Sequence, residues 1–168
     1  MMAETNLCTR CGLCCSGALF DFGPLTGEEV DQARADGLAV LEAEGEFGFA
    51  LPCPALDGAC CTAYATRPGT CRAYRCKLLR ALEAEDLTVA EAMSHVDEAR
   101  AMLAALTLQL PPGMTVTDLR RMRRRATAED DAAPLMAPPH LMIALGMLDL
   151  VLDQHFRKAS ERQIMPRG

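Results

Sequence analysis

Aromatic side chains are scarce in this sequence of 168 residues, which contains five Phe, two Tyr and no Trp. Core volume must therefore come from Leu, Ala, Met and Val, and flexible Met side chains specify packing less well than branched ones. Half of the residues are nevertheless hydrophobic and 24% are charged, as in an ordinary globular protein. The length predicts a single domain, residues 1–168, whose thin core needs additional stabilisation.

Long apolar segments are also missing. The longest run, "LMIALGMLDLVL" (141–152), is too short to span a bilayer and contains Asp149. The opening "MMAETNL" has neither the basic region nor the apolar stretch of a secretory signal. We therefore expect a cytoplasmic protein without a membrane partner. In that reducing compartment cysteines serve as metal ligands or catalytic groups more often than as structural disulfides.

Positive charge is not in excess, because the formal net charge is -6. This balance disfavours a general nucleic-acid or anionic-membrane binder. "RRMRRR" (120–125) could form a basic face for RNA or an acidic partner, but without interleaved aromatics a solvated helix is the favoured interpretation. Phosphate-binding glycine loops, G-x-S-x-G and H-E-x-x-H are absent from the sequence, so we assign no catalytic residue.

What the chain does have is nine cysteines, all between Cys8 and Cys76. In "CTRCGLCC" (8–15), Cys8-x2-Cys11 followed by Gly12 has the form of a metal knuckle, in which glycine permits a tight turn of positive φ. Cys14 adds a second x2 spacing, and three cysteines so spaced also hold four-iron clusters in ferredoxin-type chains. This segment therefore predicts a metal site without choosing between zinc and iron-sulfur.

Cys15 directly follows Cys14, and neighbouring side chains of an extended chain point to opposite faces. The two sulfurs would then serve different sites more easily than one ion, which predicts a second group of ligands. The remaining cysteines lie in "CPALDGACCTAYATRPGTCRAYRC" (53–76). A redox dithiol system or unreactive buried thiols are alternatives, but the spacing favours metal ligation.

Together these segments resemble the CxxCxxCC family of zinc- or iron-chelating domains, the YkgJ-type cysteine cluster proteins. The family pattern is CxxCGxCC, then CPxL, then C-x-I/A-Y-x-x-R-P-x-x-C-R, and Cys60 matches none of its positions. The resemblance implies a metal-binding module, although some relatives are iron-sulfur oxidoreductases and flagellin lysine N-methylases contain a similar cluster. The metal ligands that it implies are Cys8, Cys11, Cys14, Cys15, Cys53, Cys61, Cys71 and Cys76.

The family pattern also matches Tyr64, Arg67 and Arg72. Many thiolates around few metal ions leave excess negative charge, so cations should lie close to the sulfurs. We expect Arg67 and Arg72, framed by Pro68 and Cys71, to supply this charge and to donate hydrogen bonds to sulfur.

The fold class predicted is mainly α with minor short β (α+β), in which a loop-rich cysteine lobe (8–76) packs on a helical lobe (77–168). Strands are expected at 18–23 and 46–53, with a helix between them that begins at the capping box of Thr26 and Glu29 and ends at Gly37. Further helices are expected near 76–85, from Thr88 to about 110, from 115 or 117 through "DLRRMRRRATAED", and from 138 or 139 to about 158. Because the last helix is apolar nearly all round, it is either the centre of the core or an interface, through 139–157, with a homodimer or another protein partner.

Two functional hypotheses follow. One is a non-catalytic module that chelates zinc or iron through eight cysteines, so that Cys60 is the one cysteine without a metal ligand role. The alternative is an iron-sulfur oxidoreductase or a methyltransferase-associated component, in which a [4Fe-4S] cluster uses four cysteines and leaves about five free to titrate.

Overall fold

The computed structural model describes residues 2–128 and 137–166. Its helices are α1 Met2–Cys11, α2 Val30–Ala35, α3 Gly69–Ala73, α4 Lys77–Glu83, α5 Val89–Thr107, α6 Val116–Ala128 and α7 Pro139–His155. Its strands are β1 Phe22–Leu25, β2 Val40–Ala43, β3 Glu46–Ala50, β4 Leu56–Asp57 and β5 Cys60–Cys61. The predicted fold class, mainly helical with minor β structure, is confirmed.

Capping residues start the helices where the sequence predicts. The capping box of Thr26 and Glu29 forms at a 3₁₀ turn that leads into α2, and Gly37 follows α2 with φ of 77°. A second box, between Thr88 and Glu91, begins α5. The predicted end of the third long helix, at 129–130, lies outside the described residues.

The strands form a three-stranded antiparallel sheet in the order β1-β3-β2, beside a small β4-β5 ribbon. The prediction of a strand at 46–53 agrees with β3. The one at 18–23 is largely wrong, because the chain enters a strand only at Phe22. Ala18, Leu19 and Phe20 are all buried, and arginine side chains bind the carbonyl groups of Ala18 and Leu19.

The Cys8–Cys11 part of the first cysteine segment is helical where a compact knuckle was expected. Cys8 and Cys11 lie one turn apart near the end of α1. Gly12 then has φ of 66°, the positive value predicted for this position, and a Cβ added there would lie 3.1 Å from the Cα of Ala59. Glycine is therefore required both by the turn and by the close approach of the β4-β5 connection.

Helix α7 contributes one face to the core and leaves another apolar face exposed. Leu141, Leu145, Leu148 and Leu152 are completely buried or nearly so, and this face packs against α5. On another face Ile143, Met147 and Leu150 are 68%, 55% and 64% exposed. No described helix has both the length and the apolar character needed to cross a bilayer.

Asp149 carries a charge into the buried face of α7, where it meets two buried arginines. Arg120 Nη2 and Arg157 Nη2 donate to Asp149 Oδ1 at 2.9 Å and 2.6 Å. Arg120 also donates to the carbonyl oxygen of Gly17 at 2.8 Å, and Arg157 to that of Ala18 at 2.8 Å. The backbone just after the first four cysteines is thereby tied to α6 and to the segment that follows α7.

The expectation of a solvated helix at 120–125 is consequently wrong for Arg120, which is 1% exposed. Arg121, in contrast, is an exposed side chain that pairs with Asp118 at 2.9 Å. In the sequence, the feature that indicated a buried partner for Arg120 was Asp149, which lies within the apolar run of α7.

Candidate metal centre

A cavity of about 130 Å³ lies where α1, the β4-β5 ribbon, α3 and α4 meet. Apolar side chains, among them Leu7, Leu19 and Leu79, form much of its wall. Cys60 is not part of the lining: it is exposed, and its sulfur donates to the carbonyl oxygen of Thr9 at 3.6 Å. The lining contains all eight predicted ligands, Cys8, Cys11, Cys14, Cys15, Cys53, Cys61, Cys71 and Cys76.

One group of thiols gathers where the end of α1 faces the start of α4. Burial raises the pKa of Cys11 to about 12, and the neighbouring charges of Cys76 and Cys8 add to this effect. Burial also raises the pKa of Cys14 well above its usual value, again with Cys76 and Cys11 as the largest neighbouring charges. The Cys76 sulfur caps α4 by accepting a hydrogen bond from Leu79 N at 3.3 Å. Cys76, distant in sequence, is thus a neighbour of Cys8, Cys11 and Cys14.

A second group surrounds Cys15. The Cys53 amide donates to the Cys15 carbonyl oxygen at 2.7 Å, which places the two residues side by side. Burial raises the pKa of Cys15 to about 12, and Cys53 and Cys61 are the largest neighbouring charges. The pKa of Cys71 is likewise raised to about 12 by burial, followed by the charges of Cys15, Cys53 and Cys61.

Several of these sulfurs lie close enough for their charges to act on one another, but the groups are not closed ligand shells. Among the described residues, no three His, Cys, Asp or Glu side chains are arranged so that they could hold one ion. Since Zn–S bonds are about 2.3 Å long, metal binding would require the sulfurs to move inward. The donor set itself fits, because thiolates suit zinc and iron and disfavour magnesium or calcium.

The raised thiol pKa values have a direct consequence for binding. Burial keeps these thiols neutral, since a buried thiolate without a cation is costly. A metal ion supplies that cation and releases the protons, so occupation of the cavity and deprotonation would occur together.

Arg67 lies at the Cys15 group. Its positive charge acts to lower the pKa of both Cys15 and Cys71, against the larger effect of burial. The guanidinium carbon lies 4.0 Å from the centroid of the Tyr64 ring, so a cation–π contact holds it in place. Tyr64 and Arg67 both line the cavity.

Arg72 has a different environment. It is exposed, and its charge contributes to lowering the pKa of Glu29. The Glu29 carboxylate accepts hydrogen bonds from the amides of Thr26 at 2.8 Å and Gly69 at 2.6 Å. The capping glutamate therefore also holds the start of α3, which carries Cys71, a function that the capping pattern did not reveal. A role for Arg72 beside the thiolates stays a prediction.

Arg100 is a neighbour of the cavity that sequence reasoning missed. From α5, its Nη1 donates to the carbonyl oxygens of Arg10 at 3.0 Å and Cys11 at 2.9 Å. These carbonyls end α1, and a cation there interacts favourably with the helix dipole. The charge of Arg100 also acts to lower the pKa of Cys11. Because α5 lies far away in sequence, no local motif could have indicated this contact.

Comparison with known proteins places the site in a family. A family model described as "CxxCxxCC: Putative zinc- or iron-chelating domain" matches residues 7–96, more than half of the chain. The match includes every cysteine, α4 and the beginning of α5. Neither the curated proteins nor the solved structures contain a match. The chain belongs to the CxxCxxCC family of zinc- or iron-chelating domains.

Proposed function

We propose that the chain is a non-catalytic module of the cytoplasm that binds two ions of zinc or iron, each through four cysteine thiolates. The observation that carries this proposal is that all eight predicted ligands line one cavity. Because the largest thiol charges that act on Cys11 and Cys14 differ from those that act on Cys15 and Cys71, we infer two groups of four. We call them site A, which consists of Cys8, Cys11, Cys14 and Cys76, and site B, which consists of Cys15, Cys53, Cys61 and Cys71.

Chain geometry supports this division independently of charge. Helix α1 packs against α4, which brings Cys76 at the start of α4 toward the two thiols of α1. The backbone hydrogen bond between Cys53 and Cys15 joins the other group. Cys14 and Cys15 lie in a turn rather than in an extended segment, yet the largest thiol charges that act on them differ: Cys76 and Cys11 for Cys14, Cys53 and Cys61 for Cys15.

If each ion has four thiolate ligands, a binding role is favoured over a catalytic one. A structural site is closed by its protein ligands, whereas a catalytic ion keeps a position open for water or substrate. Two filled shells leave a local charge of about -4 if both ions are zinc, since each tetrathiolate site has a charge near -2. Arg67 and Arg100 are placed to offset this charge at sites B and A respectively.

An iron-sulfur oxidoreductase or methyltransferase-associated component is the alternative, favoured by the x2 spacing of Cys8, Cys11 and Cys14 and by the Cys53-Pro54 dipeptide. Metal analysis and an absorption spectrum of protein purified without oxygen separate the two functions. About two zinc ions per chain and a colourless solution support the closed sites. Iron with acid-labile sulfide and a broad band at roughly 400 nm supports a cluster.

Substitutions test the division into sites. Cys76→Ser should remove the ion of site A and Cys71→Ser the ion of site B, so each variant should retain about one ion and the double variant none. Cys60→Ser is the matched control and should retain both, since Cys60 does not line the cavity. Loss of both ions from either single variant, with the fold preserved, would show that the eight thiols do not act as two separate sites.

A further inference from the structure

One carboxylate joins the turn after β1 to the helix that carries Cys71. Glu29 Oε2 accepts a hydrogen bond from the amide of Thr26 at 2.8 Å, which is the local contact of a capping box. Glu29 Oε1 accepts a second hydrogen bond, from the amide of Gly69 at 2.6 Å, although 40 residues separate the two in the chain. One oxygen therefore serves capping, and the other holds the start of α3.

The capping box of Thr88 and Glu91 shows that capping does not require this second contact. There too, the glutamate carboxylate accepts from the amide of the N-cap threonine at 2.8 Å. Among the described residues, both of the hydrogen bonds that the Glu91 carboxylate accepts come from Thr88. The contact between Glu29 and Gly69 is consequently a separate feature of the fold.

Helix α3 depends on an acceptor from outside. It has five residues, and its N-cap residue is Pro68, whose side chain contains no hydrogen-bond acceptor. The first amides of any helix lack acceptors within that helix. Glu29 supplies the acceptor for Gly69, and the approach is so close that a Cβ added to Gly69 would lie 3.1 Å from Glu29 Oε1. The carboxylate therefore fixes the first residue of the helix that carries Cys71.

The other three cysteines of site B are linked to one another through the backbone. The Cys53 amide donates to the Cys15 carbonyl oxygen at 2.7 Å, and the Leu56 amide donates to the Cys53 carbonyl oxygen at 3.1 Å. Leu56 in turn pairs with Cys61 in the β4-β5 ribbon. Cys71, by contrast, lies on α3, so its position relative to the other three ligands depends on how α3 is held.

The two ends of α3 are held differently. Tyr74, directly after the last residue of α3, is buried, and its ring meets that of Phe20 edge to face with the centroids 5.1 Å apart. At the start, the Glu29 carboxylate binds the Gly69 amide. Removal of that carboxylate should therefore free the start of α3 while the aromatic contact keeps the helix on the fold.

We propose that Glu29 is a positioning residue for site B, which fixes the start of α3 so that Cys71 closes the ligand shell, a role that rests on the proposed function of the two sites. Zn–S bonds are about 2.3 Å long, and a ligand on a held helix loses less conformational freedom when the shell closes than one on a loose segment. Site A should not depend on Glu29, because its ligands lie on α1, in the turn after α1 and at the start of α4.

The sign of the expected effect separates positioning from charge. Four thiols that lose their protons to bind one zinc ion change a site from neutral to a charge of about -2. A neighbouring carboxylate opposes this change, so removal of the Glu29 charge alone would strengthen binding at site B. Positioning predicts the reverse, namely weaker binding when Glu29 is replaced.

Cadmium NMR of the chain loaded with cadmium in place of zinc tests the proposal, since each tetrathiolate ion gives its own resonance. Cys76→Ser and Cys71→Ser assign the resonances, because each variant should retain only the ion of the other site. Glu29→Ala is the main variant, and Glu29→Gln, which keeps one acceptor oxygen, is the conservative one. Glu91→Ala is the matched control, because it removes the corresponding glutamate of the other capping box. Glu28→Ala controls for charge, because Glu28 is an exposed neighbour in the same turn.

We expect Glu29→Ala to weaken cadmium binding at site B about tenfold in competition with a chelator, as for the loss of a hydrogen bond to a charged group, and to leave site A unchanged. Glu29→Gln should have an intermediate effect. The amide proton resonance of Gly69 should shift in Glu29→Ala, because it loses its carboxylate acceptor. Both control variants should leave this resonance and both sites unchanged.

Two cadmium resonances with unchanged affinity at site B in Glu29→Ala would overturn the role of Glu29 and leave the two-site function intact. Equal weakening of sites A and B, or the same weakening of site B by Glu91→Ala, would also overturn it. A number of cadmium resonances other than two in the unsubstituted chain would overturn the two-site function itself, and the role of Glu29 with it.

Discussion

At the scale of single residues, the buried carboxylate of Asp149 positions three arginine side chains. Its carboxylate accepts from Arg120, Arg123 and Arg157, two of which also hold the backbone at 17–19. Although burial acts to raise the pKa of Asp149, Arg120 and its other arginine partners hold that pKa below the usual 3.8. The carboxyl group therefore contributes stability above its unfolded pKa, and this contribution is lost as the pH falls through the lower folded pKa.

Asp149→Asn should destabilise the fold by about 3–5 kcal/mol, because it removes the counter-charge of two buried guanidinium groups. Urea denaturation of the metal-loaded protein measures the loss. Asp118→Asn is the control, since Asp118 pairs with the exposed Arg121 and should cost much less. An equal, small effect of both substitutions would contradict the structural importance of the buried cluster.

The position of Arg100 beside Cys11 leads to a prediction about site A. Arg100→Met removes two hydrogen bonds at the end of α1, with a cost of roughly 1–3 kcal/mol, and removes a cation near Cys11. Site A should therefore release its ion to a competing chelator more readily, while site B should not change. Arg34→Met, on α2, is the control. Faster release from both sites, or from neither, would contradict the placement of Arg100 at site A.

The residues that could be predicted from sequence are those whose chemistry leaves a local pattern. Cysteine spacing predicted a metal site, and the family resemblance indicated the eight residues of the cavity and excluded Cys60, which the structure also places outside the lining. Arg100, Arg120 and Arg157 leave no such pattern, because their partners are backbone carbonyls far away in the chain.

At the scale of elements, helix starts were predictable because capping is local, whereas α1 and the loop at 18–20 were not. The cysteine spacing of α1 fits a helical turn as well as a loop. At 18–20, buried arginines satisfy carbonyl groups that a strand would otherwise have paired. Tertiary contacts thus decided the structure of both segments.

Helices α5 and α7 bring His95 and His155 together, with ring centroids 3.9 Å apart. Burial lowers the pKa of His155 below 6.5; the charges of His95 and Lys77 act the same way, and Glu98 opposes them. On the His95 side, the neighbouring acid is Glu91. Because the unfolded chain binds this proton more readily, the stability contributed at neutral pH should decline as the pH falls below about 6.5.

Urea denaturation at pH 7.5 and pH 5.5 tests this coupling. His155→Gln should reduce the loss of stability between the two pH values, and the comparison with the unsubstituted chain removes the separate effect of thiol protonation. His140→Gln is the control, since His140 lies at the other end of α7. An identical pH dependence in all three proteins would contradict a role for the histidine pair.

The homodimer through residues 139–157 stays a prediction. Ile143, Met147 and Leu150 form an exposed apolar stripe on α7, and a Cβ added at Gly146 would meet nothing within 4 Å, so a second helix could approach closely. If two copies pack there, Ile143→Glu should convert a dimer into a monomer in sedimentation experiments. A chain that sediments as a monomer before substitution would contradict the dimer.

At the scale of the whole molecule, the fold brings two distant cysteine segments to one cavity. The eight predicted ligands could be named through the family resemblance, but the proposed division into sites could not, because it rests on how α4 returns to α1 and how the Cys53 segment pairs with Cys15. Because the core is poor in aromatic side chains, we expect bound metal ions to contribute folding free energy, so a strong chelator should unfold the cysteine lobe.

The most direct test of the two closed sites is a count of reactive thiols and metal ions on one sample of native protein purified without oxygen. Two tetrathiolate sites predict about two ions per chain and a single thiol, Cys60, that reacts before the metal is removed. All nine cysteines should react after chelation and denaturation. About five reactive thiols in the native metal-loaded protein would instead indicate a single four-cysteine centre and would contradict the account.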